Sequence, residues 1–490
     1  MKPINMPPDA PTLMWSTRAI GYTTPAAIAD LIDNSIAAKA DEIFIEFIPG
    51  DNAYVSILDN GNGMCESDLQ LAMKYGSGNP LTERESTDLG RFGLGLKTAS
   101  LSQCRRLTVA SKKDNRISAY CWDLDHVMKI AKSWELLQLD DNEINDLPQI
   151  DELRTYNEGT LVVWNDLDRM CAGDEDREKG FLNRIQEVEE HISLTFHRYL
   201  RGENGLKKLT IYSNGIEVKA QDPFYIGKSD EMPSERIPVK YINALGEEAE
   251  DVVTVTPYIL PFSDSISQEE LDELGGKDGL IKNQGFYIYR NKRLIVAANW
   301  FRLTRKTDLS KLCRVRVDMP SSLDELWTID VKKSMAIPPE IVLRNLRRIV
   351  APIVKAGKRK YTFRATNEKA ENSMQVWVPQ ETRNGIIYSI NKEYPVFIEL
   401  EKQVSDKRKL MVFMRLLEQN IPVNAIHTDF YDDKKYAFED TDIALKNVIQ
   451  NIKDLLSDIK PEDRKEAFNE IMSVNPFAEY DIKYEDLGDI

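Results

Sequence analysis

The chain has 490 residues, of which 42% are hydrophobic and 29% charged, which fits a folded soluble protein of two or three domains. Its formal net charge of −16 argues against a protein wrapped broadly in nucleic acid, because phosphate contact needs clustered lysine and arginine. The sequence has no apolar run that could span a bilayer and no signal-peptide pattern over residues 1–9, so we expect a cytoplasmic protein.

The first part of the chain alternates between helical and extended patterns and predicts an N-terminal α/β domain over residues 1–204. Its opening helix is predicted over Pro25–Ala38, with Thr24 as the candidate cap. Further helices are predicted at Ser67–Tyr75, Leu96–Gln103 and Glu178–Arg201. Strands are predicted at Glu42–Ile48, Ala53–Leu58, Arg106–Ala110, Ile117–Trp122 and Thr160–Trp164.

From about Lys207 the pattern changes to short strands, which predicts a second α/β domain over residues 205–360. Its strands are predicted at Lys208–Tyr212, Val252–Ile259, Gly285–Tyr289, Arg293–Val296 and Leu312–Val317. The acidic segment Ser263–Asn283 is expected to be a surface loop, and Pro338–Lys355 a helix.

Residues 370–490 predict a third, mostly helical domain that binds partner proteins. One strand is predicted at Gly385–Ile390, before helices at Val396–Gln419, Asp440–Ile459 and Pro461–Ser473. A basic run over residues 355–364 precedes this domain, and it fits either a solvated linker or a local patch for nucleic acid.

The cysteines and histidines do not indicate a metal site or a disulfide framework. No two cysteines form a CxxC pair, and the histidines have no metal-ligand spacing, so we expect reduced thiols and structural or surface histidines. The residues concerned are Cys65, Cys104, Cys121, Cys171 and Cys313, and His126, His191, His197 and His427.

The opening helix carries the sequence Asp-Leu-Ile-Asp-Asn-Ser, in which Asp30 and Asn34 lie four residues apart and share one helix face. A carboxylate can orient a water molecule for attack on a terminal phosphate. An amide oxygen one turn later can hold Mg²⁺, which prefers oxygen ligands. An ordinary solvated polar face would have the same pattern.

A second polar segment, Asp-Asn-Gly-Asn-Gly-Met, follows a predicted strand directly. Asp59 at the strand end can accept the exocyclic amine of adenine, and Gly61 and Gly63 allow the backbone before Met64 to approach a flat ligand closely. A plain β-turn is the alternative.

A third segment runs through glycines into a short helix, where free backbone N–H groups favour phosphate oxygens and Lys97 adds positive charge. Its candidate nucleotide-binding residues are Gly90, Arg91, Phe92, Gly93, Leu94, Gly95, Leu96 and Lys97. The segment lacks both the GK[ST] ending of a P-loop and the acidic residue of a dinucleotide fingerprint. A fourth segment, Glu158-Gly159-Thr160, offers the Thr160 hydroxyl near the adenine edge.

In this order, the segments DLIDNS, DNGNGM, GRFGLGLKTAS and EGT resemble the GHKL ATPase family, to which the gyrase B subunit, MutL, the ATP-driven heat-shock chaperone and MORC proteins belong. The resemblance covers about residues 15–200 and implies a Bergerat-type fold that binds ATP and Mg²⁺, with a lid over residues 76–95. It implies that Asn34 holds Mg²⁺ and Asp59 contacts adenine. The family usually has glutamate where this chain has Asp30, and aspartate is one methylene shorter, so we expect slow hydrolysis.

The second domain resembles the same family in two segments. Gly285–Ile295 is similar to the YxNxRLI hairpin of MORC proteins, and Trp327–Ser334 looks like the transducer segment whose lysine reaches the γ-phosphate. Lys332 and Lys333 are both candidates for that lysine, and Lys333 is slightly favoured. A lysine that binds only when the terminal phosphate is present would distinguish ATP from ADP.

The sequence leaves two functional hypotheses. In the first, the chain is an ATPase whose nucleotide state controls a homodimer, with residues 12–24 reaching over the partner copy, and analogy with MORC and MutL suggests prokaryotic DNA handling or defence. In the second, it is a non-catalytic ATP sensor that assembles a protein complex. A histidine-kinase activity is not favoured, because a transducer-like segment follows the ATP domain.

Overall fold

The computed structural model describes residues 6, 8–19, 21–76, 95–170, 172–173, 176–203, 205–243, 246–261, 267–275, 279–329, 336–362, 376–382, 385–422, 441–457, 459–473, 477 and 482–488. The chain divides into two compact units, Met1–Arg359 and Lys360–Ile490. Both combine helices with β-strands, so the predicted α/β class is confirmed.

The first unit begins with an eight-stranded mixed sheet in the order β5-β4-β3-β6-β2-β1-β7-β8. Its strands are β1 (Glu42–Ile48), β2 (Tyr54–Asp59), β3 (Arg106–Lys113), β4 (Arg116–Asp123), β5 (Leu137–Gln138), β6 (Gly159–Asn165), β7 (Thr210–Ser213) and β8 (Ile216–Glu217). The last two strands lie beyond residue 204, where the sequence predicts the first domain to end. The strand predicted at Lys208–Tyr212 therefore joins the first sheet, through parallel pairing of β7 with β1.

Helices cover both faces of this sheet. They are α1 (Ala10–Arg18), α2 (Thr24–Ala37), α3 (Glu66–Met73), α4 (Gly95–Leu101), α5 (Asp141–Asn145), α6 (Ile150–Thr155), α7 (Arg177–Thr195) and α8 (His197–Leu200). The main core packs α2, α4 and α7 against one face, where Ile43, Ile45 and Ile57 point. Leu58 and Leu161 point to the other face and pack against α5 and α6, as the two-residue repeat of a strand requires.

Helix α2 begins one residue earlier than predicted. Thr23 is the N-cap and accepts a hydrogen bond from the Ala26 N–H, with proline in the first turn. Thr24 is already helical, and its hydroxyl donates to the Gln103 side chain at 2.8 Å. The predicted cap at Thr24 was therefore wrong by one position.

A second sheet has six strands, with β10-β11-β14-β12-β13 as neighbours and β9 paired to β11. Its strands are β9 (Asp230–Glu231), β10 (Glu235–Ile242), β11 (Glu248–Ile259), β12 (Gly285–Arg290), β13 (Arg293–Asn299) and β14 (Cys313–Met319). The predicted hairpin is confirmed: Asn291 and Lys292 adopt positive φ angles of 48° and 69° at the turn between β12 and β13. The sequence did not predict β10.

The remaining elements of the first unit are mostly helical. The acidic insertion predicted as a loop contains two short helices, α9 (Gln268–Gly275) and α10 (Gly279–Lys282). A two-stranded pair, β15 (Thr328–Ile329) and β16 (Ala336–Ile337), precedes the long helix α11 (Glu340–Thr362).

The second unit pairs β17 (Trp377–Thr382) with the predicted strand β18 (Gly385–Ile390). Its helices are α12 (Pro395–Gln403), α13 (Lys407–Gln419), α14 (Thr441–Ser457) and α15 (Arg464–Met472). Phe397, Ile452 and Phe468 contribute to its core. No helix in the described parts of either unit is long and apolar enough to cross a membrane.

Candidate nucleotide-binding site

Helix α2 supplies four consecutive or near-consecutive polar residues to the candidate site. Asp30, Asp33 and Ser35 are 3%, 0% and 3% exposed, whereas Asn34 is exposed. A buried carboxylate requires partners, and each buried residue of this set has one from a different part of the chain. For Asp30 it is Tyr22, whose hydroxyl donates to Oδ2 at 2.8 Å.

Asp59 is the buried carboxylate at the end of β2. The Ser35 hydroxyl donates to its Oδ2 at 2.8 Å, and the Gly61 N–H donates to its Oδ1 at 2.9 Å. Burial raises the pKa of Asp59, although these hydrogen bonds act in the opposite direction. The residue predicted to contact adenine is thus an oriented acceptor tied to the same helix that carries Asn34.

The sheet register brings Thr160 and Ser111 to Asp59. Thr160 lies opposite Asp59 across β2 and β6, and Ser111 lies opposite Thr160 across β6 and β3. The Ser111 side chain accepts a hydrogen bond from the Met64 N–H at 2.9 Å and lies 3.0 Å from the Thr160 hydroxyl. Three of the four predicted segments therefore meet at one end of the sheet.

Glycines at this end permit close backbone approach. A Cβ atom on Gly63, whose φ is +53°, would lie 2.1 Å from the Lys112 carbonyl oxygen. One on Gly61 would lie 2.8 Å from the Ala38 Cβ, and one on Gly159 would lie 2.4 Å from the Asp59 carbonyl oxygen. These glycines are needed for packing around Asp59, independently of any ligand.

Helix α4 brings Gly95, the last glycine of the third segment, close to Asp30. A Cβ atom on Gly95 would lie 3.6 Å from the Asp30 Oδ2, so the start of α4 faces the candidate catalytic carboxylate. Leu96 packs against the main core.

Lys97 does not face an open cleft. Its side chain is 1% exposed, and its ammonium donates to the Ala72 carbonyl oxygen of α3 at 2.6 Å. Burial lowers the pKa of Lys97 to about 8. In this structure the lysine joins α4 to α3, in contrast to the phosphate-facing position predicted from its place in the first helical turn.

Several predicted site residues lie outside the described residues: Gly90, Arg91, Phe92, Gly93, Leu94, Lys332 and Lys333. Their roles stay predictions. Within the described parts of the chain there is no group of three or more histidine, cysteine or acidic side chains that could hold a metal ion. Asn34, which is exposed, stays the predicted ligand for Mg²⁺.

Sequence reasoning missed Tyr22, Ser35, Ser111 and Arg293 as parts of the site. Ser35 lies inside the Asp-Leu-Ile-Asp-Asn-Ser segment, so the motif itself could have indicated it. It shares a helix face with Leu31 rather than with Asn34, and the argument from the Asp30–Asn34 face therefore left it out. Arg293 reaches Asp33 from the second sheet, with its Nε 2.9 Å from Oδ2. No local pattern indicates a contact across that sequence separation.

The buried carboxylate of Asp59 and the Asp30–Asn34 pair lie in a part of the chain that matches a known protein family. Residues 22–160 match the family model described as "Histidine kinase-, DNA gyrase B-, and HSP90-like ATPase". This match confirms, over residues 22–160, the resemblance to GHKL ATPases seen in the motifs.

Individual relatives are similar over the same domain. The chain is 36% identical over 100 residues to the DNA mismatch repair protein MutL of Microcystis aeruginosa, covering 20% of this chain and 18% of that protein. It is 33% identical over 95 residues to ATPase morc-1 of Caenorhabditis elegans, covering 19% and 11%. It is 36% identical over 97 residues to ATPase MORC2B of Mus musculus, covering 19% and 9%. The match thus spans less than a fifth of each relative's length.

Proposed function

We propose that the chain is an ATP-binding and ATP-hydrolysing switch or clamp whose nucleotide state controls its dimerisation and its engagement of a partner. The observation that supports this proposal most directly is the position of Asp59. It is buried at the end of β2 and accepts hydrogen bonds from the Ser35 hydroxyl and the Gly61 N–H. Asn34 is adjacent to Ser35 on α2 and is exposed. This arrangement supports Asp59 as the acceptor for adenine and Asn34 as an oxygen ligand for Mg²⁺, because the Ser35–Asp59 hydrogen bond joins their helix and strand.

Asp30 is the proposed catalytic base, and its hydrogen bond from Tyr22 fixes the direction of the carboxylate. When bound at Asn34, Mg²⁺ would neutralise phosphate charge and orient the phosphates. The role of Asp30 is to hold the attacking water, and that of Tyr22 is to keep Oδ2 in place. Because aspartate is shorter than the family's usual glutamate, slow turnover is part of the proposal.

Two substitutions test the chemistry: Asp30→Ala and Asn34→Ala. We expect each to lower steady-state phosphate release by about a hundredfold or more, since each removes a group needed in the transition state. Asn345→Ala is a matched control, because Asn345 is a half-buried helical asparagine of α11 whose side-chain amide donates to the Ile341 carbonyl oxygen one turn earlier on the same helix. Full turnover in Asp30→Ala would refute the assignment of the base.

A second function, a non-catalytic ATP sensor, is favoured by the shortened side chain at position 30. In that case the wild-type chain would bind a non-hydrolysable ATP analogue by calorimetry with Mg²⁺ present, yet release no phosphate above a no-protein control. Absence of any adenine nucleotide binding would refute both functions.

ATP-dependent pairing of two copies is the conformational part of the proposal. The segment expected to reach over a partner contains α1, which here packs on its own domain: the Arg18 Nε donates to the Leu101 carbonyl oxygen at 2.6 Å, and its guanidinium pairs with Asp168. Exchange of this segment would require these partly buried contacts of Arg18 to open. Light scattering with and without the ATP analogue tests the pairing, and an unchanged mass would argue against the clamp.

The partner is proposed to bind through residues 370–490, and duplex DNA is a motivated test ligand because the MutL relatives are named as DNA mismatch repair proteins. A role in prokaryotic DNA handling or defence and a cytoplasmic location complete the proposal. Duplex binding should strengthen with the ATP analogue and weaken as salt is raised. If the affinity for DNA is the same with and without the ATP analogue, DNA is not the partner that the nucleotide state controls.

A further inference from the structure

Helix α11 has one face buried in the protein. It packs toward the second sheet, where the Cys313 thiol of β14 lies 3.6 Å from the Ile353 carbonyl oxygen and Arg348 pairs with Glu235 of β10. Because a helix turns by about 100° per residue, its buried side chains occupy one side only. They are Val342, Leu346, Ile349, Val350 and Ile353. The opposite side of α11 is turned to solvent.

The solvent side of α11 is basic along its length. Arg344, Arg347, Arg348 and Lys355 are all exposed. At about 100° and 1.5 Å per residue, these four positions fall within an arc of about 100° opposite the buried face and span about 16 Å. A solvated surface helix commonly mixes both signs of charge, but Glu340 in the first turn is the sole acidic residue of this helix, in a chain of net charge −16.

These cations are available to a ligand. Among the described residues, Arg344, Arg347 and Lys355 have no ion-pair partner. Arg348 pairs with Glu235 at 2.9 Å, through side chains that are 72% and 43% exposed. An exposed ion pair contributes only about 0–1 kcal/mol, so Arg348 can exchange this carboxylate for another anion at little cost. The face therefore favours binding of an extended anion.

The chemistry of α11 favours a nucleic-acid duplex among the extended anions. Residues 340–356 include no aromatic side chain on which the bases of a single strand could stack. Ile341 is the one large apolar side chain exposed in this range, which leaves no apolar face to insert into a membrane. Duplex DNA carries one charge per about 1.7 Å of its axis, so a span of about 16 Å faces roughly nine phosphates.

We propose that the basic face of α11, made of Arg344, Arg347, Arg348 and Lys355, binds the phosphate backbone of duplex DNA without regard to base sequence. The inference rests on the proposed function in taking DNA as the partner, and it assigns the contact to the first unit rather than to residues 370–490. Arginine and lysine bind phosphate through charge-assisted hydrogen bonds. The amide of Asn345, which could read a base, donates instead to the Ile341 carbonyl oxygen of its own helix.

The salt dependence of DNA binding tests this contact. Fluorescence anisotropy of a labelled duplex of arbitrary sequence measures binding by the full chain without nucleotide, over a series of salt concentrations. Four phosphate contacts predict a slope of log affinity against log salt of about −3.6, and each lost contact reduces the slope by about 1. In the triple variant Arg344→Gln, Arg347→Gln, Lys355→Gln, we expect a slope of about −1 and at least about tenfold weaker binding at low salt.

A second variant tests the same face without removing any contact. Ala351 is exposed and lies in the basic arc between Arg348 and Lys355, so the carboxylate added by Ala351→Glu should repel phosphate and weaken binding. The matched control removes the same number of charges from exposed lysines of the second unit, and it should leave the slope unchanged. It is the triple variant Lys402→Gln, Lys407→Gln, Lys409→Gln.

The outcomes separate this inference from the function on which it rests. An unchanged slope in the α11 triple variant, or an equal loss in the lysine control, would overturn the assignment to α11. Competition by anionic lipid vesicles or by polyglutamate as strong as that by unlabelled duplex would overturn DNA as the ligand. If the wild type binds no duplex with or without the ATP analogue, the inference and the DNA part of the proposed function fail together. Nucleotide binding and phosphate release would still test the ATP switch by themselves.

Discussion

Replacement of Asp59 by asparagine should weaken nucleotide binding without lowering the stability of the fold. Asparagine keeps one oxygen to accept the Gly61 N–H, and its amide can donate to the Ser35 oxygen, because a hydroxyl rotates to accept. The fold then keeps the Ser35 and Gly61 partners and no longer buries a charge whose pKa is raised by desolvation. We expect the free energy of unfolding at pH 7 to stay equal or to increase.

Binding should respond in the opposite direction. A charge-assisted hydrogen bond contributes about 1.5–3 kcal/mol, and an amide N–H turned toward the adenine amine leaves two donors facing each other. A loss of about 3 kcal/mol corresponds to roughly a hundredfold weaker binding. The raised pKa of Asp59 adds a pH signature: wild-type affinity should fall as the pH is lowered through that pKa, whereas the variant should be flat.

Calorimetry with AMP-PNP and urea unfolding measure the two effects on the same preparations. Asp222→Asn is the control, since Asp222 accepts the Phe224 N–H and pairs with Arg201 away from the site. It should lose stability and keep nucleotide affinity. Affinity of the Asp59→Asn variant within about threefold of the wild type would refute the role of Asp59 in binding.

Three further substitutions have defined outcomes. Gly63→Ala should lower the free energy of unfolding in urea by about 3 kcal/mol or more, because the new Cβ clashes with the Lys112 carbonyl oxygen at an already unfavourable φ. The control Gly215→Ala, with φ +79° and open space around it, should lower it by only about 1–2 kcal/mol. Equal losses would show that the clash does not matter. Tyr22→Phe should lower phosphate release about tenfold with ATP affinity retained, since it frees the Asp30 carboxylate, and unchanged turnover would show that this bond is not needed. The pKa of Lys97 is about 8 in the folded chain and 10.5 in the unfolded chain, so the unfolded chain binds more protons between these values. The free energy of unfolding should therefore rise with pH from about 8 to 10. Lys97→Met should abolish that rise, and a rise that persists in the variant would have to come from another group.

The sequence predicted the elements whose signals are local. Helix α2 follows from its proline start and its apolar spacing, and the β12–β13 hairpin follows from a turn at Asn291 and Lys292 between two apolar runs. The four motif segments predicted an ATPase domain because, in their order along the chain, they resemble one family. The family comparison confirms that domain over residues 22–160.

What the sequence could not predict depends on contacts between distant segments. The Arg293–Asp33 pair joins residues 260 positions apart. Strand β7 joins the first sheet by parallel pairing with β1, and parallel strands are not connected by a tight turn that a sequence pattern could reveal. Lys97 illustrates the opposite error. Its place in the first helical turn predicts a contact with phosphate, but in the folded chain its ammonium donates a hydrogen bond to the Ala72 carbonyl oxygen.

Three outer strands of the two large sheets are poorly suited to pairing with a second copy of this chain. The first sheet ends in β5 and β8, each of two residues, and β10 at one edge of the second sheet exposes Arg236, Pro238 and Lys240. Short, charged and proline-bearing borders discourage the addition of a foreign strand. Self-association at these borders would therefore have to use helices and loops rather than a continuous β-ladder. Such a joint could open without breaking a row of backbone hydrogen bonds, as the proposed nucleotide-dependent pairing requires.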